Sequence, residues 1–208
     1  MNERSFFLYI CNSKNKIAMK AELKDKEKAI LEATLELVNN NGFHASSMSK
    51  IAQKANVAPA TIYIYFENKQ DLIDKLYLHL KEEISHCIFK DYTEEMTIEE
   101  GFKVIWYAIA NYKRTHINEA LFQSLCDITP MINEETRSKG ISYLQKFMDL
   151  CKRGQEEGII KDCSLYLIYG FAINPLSFLV AKHQTGELFF DENILENAYK
   201  MAWYSIKK

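Results

Sequence analysis

Between Ser47 and Lys69 stand the hydroxyls of Ser47, Ser49 and Thr61, the phenols of Tyr63 and Tyr65 and, closing the stretch, the ammonium of Lys69. With the small Ala60 among them, these groups can bond phosphate oxygens and reach the groove edges of a nucleic-acid duplex. Catalytic chemistry has no comparable set. The chain contains no G-x-S-x-G, P-loop, G-x-G-x-x-G or H-E-x-x-H pattern, and nothing in it places two acids together in a pocket. Glu83-x-x-His86 has metal-ligand spacing, but a single copy reads more simply as a solvated helix face. The expectation is a non-enzyme with no catalytic residue, no metal and no cofactor.

The elements that must position these groups follow from spacing. Ser47 can cap a short helix whose apolar residues, Met48, Ile51, Ala52 and Ala55, recur at three and four positions. The run breaks at Asn56, and Pro59 stands at the first turn of a second helix, where its missing N–H costs nothing. In that helix Val57, Ile62 and Phe66 turn back toward the first, leaving Ala60, Thr61, Tyr63, Ile64 and Tyr65 on or beside the outer face. A helix, a tight turn and a second helix with such a face suit the major groove.

The phrase from Ile51 to Lys69, IAxxANVAxATIYxYFENK, resembles the DNA-binding signature of the tetracycline-repressor (TetR) family of one-component bacterial regulators. The motif covers residues 25 to 80; beyond it the likeness is one of length and helical layout. Two residues depart from the pattern. Ala58 stands where Ser or Thr often caps the recognition helix, which weakens the cap by about 1 kcal/mol, and Ala60 stands where Gly is common. The resemblance implies an all-α fold, a three-helix helix-turn-helix head followed by a helical ligand-binding and dimerisation bundle. It implies transcriptional regulation, most often repression, relieved by a small molecule. Ala60, Thr61, Tyr63 and Tyr65 would then face the major groove of a palindromic operator, while Ser47, Ser49 and Lys69 would contact backbone phosphate.

Bulk composition agrees with that layout. Among 208 residues, 48% are hydrophobic and only 7 are Gly and 3 Pro, which favours long helices over strands and turns. Residues 1–69 carry ten basic against seven acidic side chains, and residues 70–208 sixteen against twenty-one, so a basic end precedes an acidic body. Five dispersed cysteines without close pairing read as reduced thiols in a cytoplasm. The apolar run Phe6 to Cys11 is too short for a signal-peptide core. The expected organisation is a poorly ordered leader over 1–22, the DNA-binding domain over 23–69 and the body over 70–208.

Periodicity predicts a first helix over 24–40, ended by Asn41-Gly42, and a linking helix from Gln70 with Cys87 in its apolar stripe. Further helices are expected over 97–115, 118–127, 134–155, 164–183 and 192–206. The helix over 164–183 is apolar nearly all round and reads as buried on both sides rather than as a membrane span. Its side Leu165, Ile168, Ala172, Leu176 and Leu179 is expected to pair two chains into a homodimer. Trp106, Tyr107, Phe122, Cys126, Tyr143, Phe147, Phe171, Asn174 and Phe178 are candidates to line an effector pocket, although aromatic residues at helical spacing are as readily core. The acidic body favours an uncharged or cationic aromatic effector. The rival reading keeps the DNA-binding head and gives the body a protein partner instead of a small ligand.

Overall fold

The computed structural model describes residues 3–208, with side chains from residue 24 onward. The leader expected over 1–22 lies outside the residues whose side chains are described. Among the described residues the fold is all-α, without a strand; one isolated bridge joins Ile160 to Lys207. The chain divides into two compact units, residues 1–73 and 74–208, and the division falls inside α4 (Lys69–Ile88).

The first unit is built from α1 (Glu3–Ala45), α2 (Met48–Lys54), α3 (Pro59–Tyr65) and the start of α4. Its core joins Ile30 and Ala33 of α1 to Ile51 and Ala52 of α2, Ile62 of α3, Phe66 and Leu72. Gly42 breaks α1 at φ 78°, a left-handed conformation that costs glycine little. Ser46, buried behind that break, donates its hydroxyl to Gly42 O at 2.8 Å.

In the second unit α5 (Ile98–Thr115) packs against α6 (Ile117–Ile128), α8 (Gln145–Glu156), α10 (Pro175–Gln184) and α11 (Glu192–Ile206). A reciprocal capping box fixes the start of α5, Thr97 accepting from Glu100 N while Glu100 accepts from Thr97 N at 3.1 Å. The predicted helix over 134–155 is interrupted at Tyr143-Leu144, giving α7 (Glu134–Ser142) and α8, and Ile141 at the end of α7 is exposed. Cys87 is likewise exposed. Gly140 is required by proximity, because a Cβ there would lie 2.4 Å from Tyr77 Cε1.

The apolar helix over 164–183 differs most from expectation. It comprises α9 (Leu165–Ile168), a π-helical turn (Tyr169–Ile173) and α10. Pro175 explains the turn: its ring would crowd the carbonyl four residues back, and widening the preceding turn, with Asn174 N–H bonded to Tyr169 O at 2.8 Å, relieves this. Although Leu165–Gln184 is long and apolar enough to cross a membrane, only 28% of its most apolar window is buried, so it is not covered on both sides. The expected dimer residues Ile168, Ala172 and Leu176 lie in the chain's own core, with Leu165 and Leu179 packed at its edge. The side left in solvent carries Tyr166, Leu167, Phe171 and Phe178. The two faces are thus exchanged relative to the sequence reading, since a helix apolar all round offers periodicity no basis for choosing which side turns inward.

Candidate nucleic-acid interface and the interior of the body

Ser47 holds the start of α2, its hydroxyl accepting from Lys50 N at 3.3 Å, and Ser49 is exposed two residues along. Ala58 caps α3 without a side-chain bond, and Pro59 opens the helix. Ala60 is exposed and Thr61 partly so; Tyr63 and Ile64 stand out at 59% and 70% exposure. Such large apolar surface on a short helix is the kind that a partner covers. Tyr65 differs from the others, being half-buried and packed against the head core, 6.2 Å from the Phe66 ring. Lys69 has intramolecular work as well. Its ammonium donates to Phe43 O and to His44 O and sits 4.2 Å from the centre of the Phe43 ring, joining the end of α1 to the start of α4. Burial holds its pKa below the ordinary lysine value.

In the body, Trp106 and Phe147 belong to the main core with Tyr107 at its edge. Trp106 and Tyr107 both pack on Tyr199, and Phe102 on Trp203 at 5.3 Å. Phe122 and Cys126 are buried on α6, and Tyr143 is half-buried. Phe171 and Phe178, at 65% and 62% exposure, and Asn174, also exposed, do not join them. These three therefore face away from the interior, for the same reason that the dimer face is exchanged. Two surface depressions, of about 430 Å³ beside His116 and about 470 Å³ beside Gly158, have neither Trp106 nor Phe147 in their walls.

Residues 30–76 match the family model of bacterial regulatory proteins of the tetR family, and residues 97–207 match the tetracyclin repressor-like C-terminal domain. The chain belongs to the TetR family. A regulator of the helix-turn-helix type from Haemophilus influenzae is 25% identical over 191 residues, covering 91% of this chain and all of that one. Among solved structures, a TetR family regulator from Marinobacter aquaeolei superposes with a TM-score of 0.84 at 23% identity, over 91% of this chain and 99% of that one. FadR of Bacillus subtilis, solved in complex with stearoyl-CoA, superposes with a TM-score of 0.67 at 22% identity, over 86% and 98%. This TetR-family chain is accordingly a DNA-binding transcriptional regulator with the family's all-α fold.

The TetR-family body also holds polar residues that motif reading passed over. Lys81 on α4, Lys113 on α5 and Gln123 on α6 are buried, although nothing in the chain's catalytic or DNA-binding patterns points to them. A signal existed in the spacing. Lys81 lies four residues after Tyr77 and three before Ile84, and Lys113 four after Ile109, so both lysines occupy apolar-stripe positions.

Proposed function

We propose that this TetR-family regulator is a homodimeric repressor that grips a palindromic operator and lets go when its body takes up a small organic molecule. The outward Tyr63 and Ile64 of α3 carry the DNA half of the reading. Ala60 and Thr61 sit beside them at the groove, Tyr65 braces the helix from the core side, and Ser47, Ser49 and Lys69 meet phosphate. Phenols and hydroxyls position more than they specify, so operator choice leans on DNA shape as well as base contacts.

The exposed row Tyr166, Leu167, Phe171 and Phe178 supports dimerisation, because a monomer leaves that apolar surface wet. FadR bound to stearoyl-CoA supports a body that receives a small effector. Trp106, Tyr107, Phe122, Cys126, Tyr143 and Phe147 remain the residues whose repacking such a ligand would require. The test is fluorescence anisotropy on DNA upstream of the chain's own gene, titrated with compounds of varied size and charge. Tight binding relieved by one compound class supports the reading, and DNA binding that no compound relieves removes its second half. One observation favours the protein-partner alternative: the core around Trp106 and Phe147 is filled by the chain's own aromatic rings.

A further inference from the structure

The side chains of α3 sort by position. Ile62 is fully buried and Phe66 is 1% exposed, both in the head core with Val57 and Tyr65 packed against it, so the helix is held firmly from one side. The turn before it is fixed as well: Asn56 takes φ 54° and Val57 N–H bonds to Ala52 O at 3.0 Å. Ile64 follows Ile62 by two residues, about 200° round the helix, and is therefore turned away from that core. It is 70% exposed, more than the neighbouring Tyr63.

A phenol, a hydroxyl or an ammonium on this face can settle on a phosphate oxygen, but an isoleucine has neither a donor nor an acceptor to offer. In a major groove it meets one apolar feature, the C5 methyl of thymine, because guanine, cytosine and adenine present only acceptors and amino donors there. Laid against those other edges, the aliphatic group would strip their water and return no bond. The same side chain that favours thymine thus disfavours its competitors. Branching at Cβ leaves one strongly preferred χ1 in a helix, so little rotamer freedom is lost on docking. One turn back on its face stand Ala60, exposed, and Thr61, partly exposed, and neither is large enough to hold Ile64 away from the base edges.

We propose that Ile64 is a sequence-reading residue of this regulator, packing on the C5 methyl of a thymine in each operator half-site. The proposal rests on the reading that α3 lies in the major groove of a palindromic operator. It adds a base-specific contact to a face whose polar groups mainly position the helix. Water around the exposed isoleucine and around the thymine methyl is released together, which supplies affinity without neutralising a phosphate.

The probes are duplexes of the segment upstream of the chain's own gene that the full chain protects from nuclease, with deoxyuridine replacing thymidine at one symmetric pair of positions at a time. Uracil keeps the O4 acceptor and the pairing with adenine and lacks only the methyl. Fluorescence anisotropy is measured for wild type, Ile64→Val and Ile64→Ala, each checked for fold by circular dichroism and expected to be intact because the site is exposed. In wild type one thymine pair should stand out, its replacement weakening binding by about fourfold per methyl, or about sixteenfold for the pair. Ile64→Ala should bind the natural duplex more weakly and respond to that replacement by less than about twofold, with Ile64→Val between the two and one log–log salt slope shared by all three. Because deoxyuridine alters the duplex equally for every variant, the sensitivity lost in Ile64→Ala isolates the contact. Where Ile64→Ala binds too weakly to titrate, Ile64→Val decides by the same criterion. A wild type indifferent to every replacement, or a sensitivity that the variants retain in full, overturns the methyl contact while leaving operator binding in place. Failure of the wild type to protect any upstream segment overturns the operator reading and the contact with it.

Discussion

Trp106 Nε1 donates to Ala172 O at 2.8 Å, tying α5 to the π-helical turn across 66 residues of chain. The indole is 1% exposed, so this bond has no water to replace it. Trp106→Phe should cost about 1–3 kcal/mol for the unsatisfied carbonyl, lowering the melting temperature by several degrees in scanning calorimetry. Trp106→Ala should cost about 3–5 kcal/mol, which makes it a poor probe of induction despite its place among the candidate effector residues. An unchanged melting temperature for Trp106→Phe would mean that the bond contributes nothing to the fold.

Lys69 ties the end of α1 to the start of α4 in the DNA-binding head and is also the candidate phosphate contact. Lys69→Ala is expected to lower stability by about 1 kcal/mol, to weaken all DNA sequences alike, and to reduce the log–log salt slope of binding by about one. Denaturation and a salt titration separate the two roles. Lost stability with an unaltered slope would assign the lysine to the α1–α4 corner alone.

The exchanged faces of α9 and α10 give opposite outcomes for substitutions one to six residues apart. Phe171→Glu and Phe178→Glu should yield folded monomers that bind a palindromic site weakly, having lost the avidity of two heads. Leu176→Glu and Ala172→Arg, directed at residues 1% and 2% exposed, should instead unfold the body. Sedimentation velocity with circular dichroism distinguishes these results, and dimers in both Phe variants would place the dimer contact elsewhere.

Lys113 should leave a mark on the pH dependence of stability. Its folded pKa, about 8, lies below the ordinary 10.5 because burial and the neighbouring Lys81 disfavour the charged form, with Asp127 opposing them. Between those values the unfolded chain holds a proton the folded chain does not, so this residue makes stability rise as pH goes from about 8 to 10.5. Lys113→Met should abolish that rise and be more stable than wild type near pH 7. Chemical denaturation of both proteins at pH 7, 8.5 and 10 measures the difference, and parallel curves would refute it.

Much of the head was legible from spacing alone. Ile51, Ala52, Ile62 and Phe66 were assigned inward by three- and four-residue recurrence, and each is buried in the core of that unit. Tyr65 was harder, because the last turn of a seven-residue helix can direct a phenol either way. In the body, periodicity located helices but could not choose a side where every position was apolar, as Phe171 and Ala172 demonstrate. Nor does a stripe disclose which of its members carries charge inward. Lys113 occupies the position a leucine could hold, and only the packing of α10 around it, with Ser177 at 2.7 Å, reveals that its ammonium stays inside.

The π-helical turn holds one residue more than an ordinary turn would need, and this gives it a genetic meaning. Gly170 is exposed, with nothing within 4 Å of where a Cβ would stand. In-frame loss of that codon would let the turn close to regular α geometry with the faces of α10 kept in register, because a π-turn takes up its extra residue within one widened turn. Ser177 would stay beside Lys113, and Leu176 would stay in the core. A three-base deletion at Gly170 would thus straighten the helix without moving its core face, so a change of chain length here is a mutational step the fold can absorb.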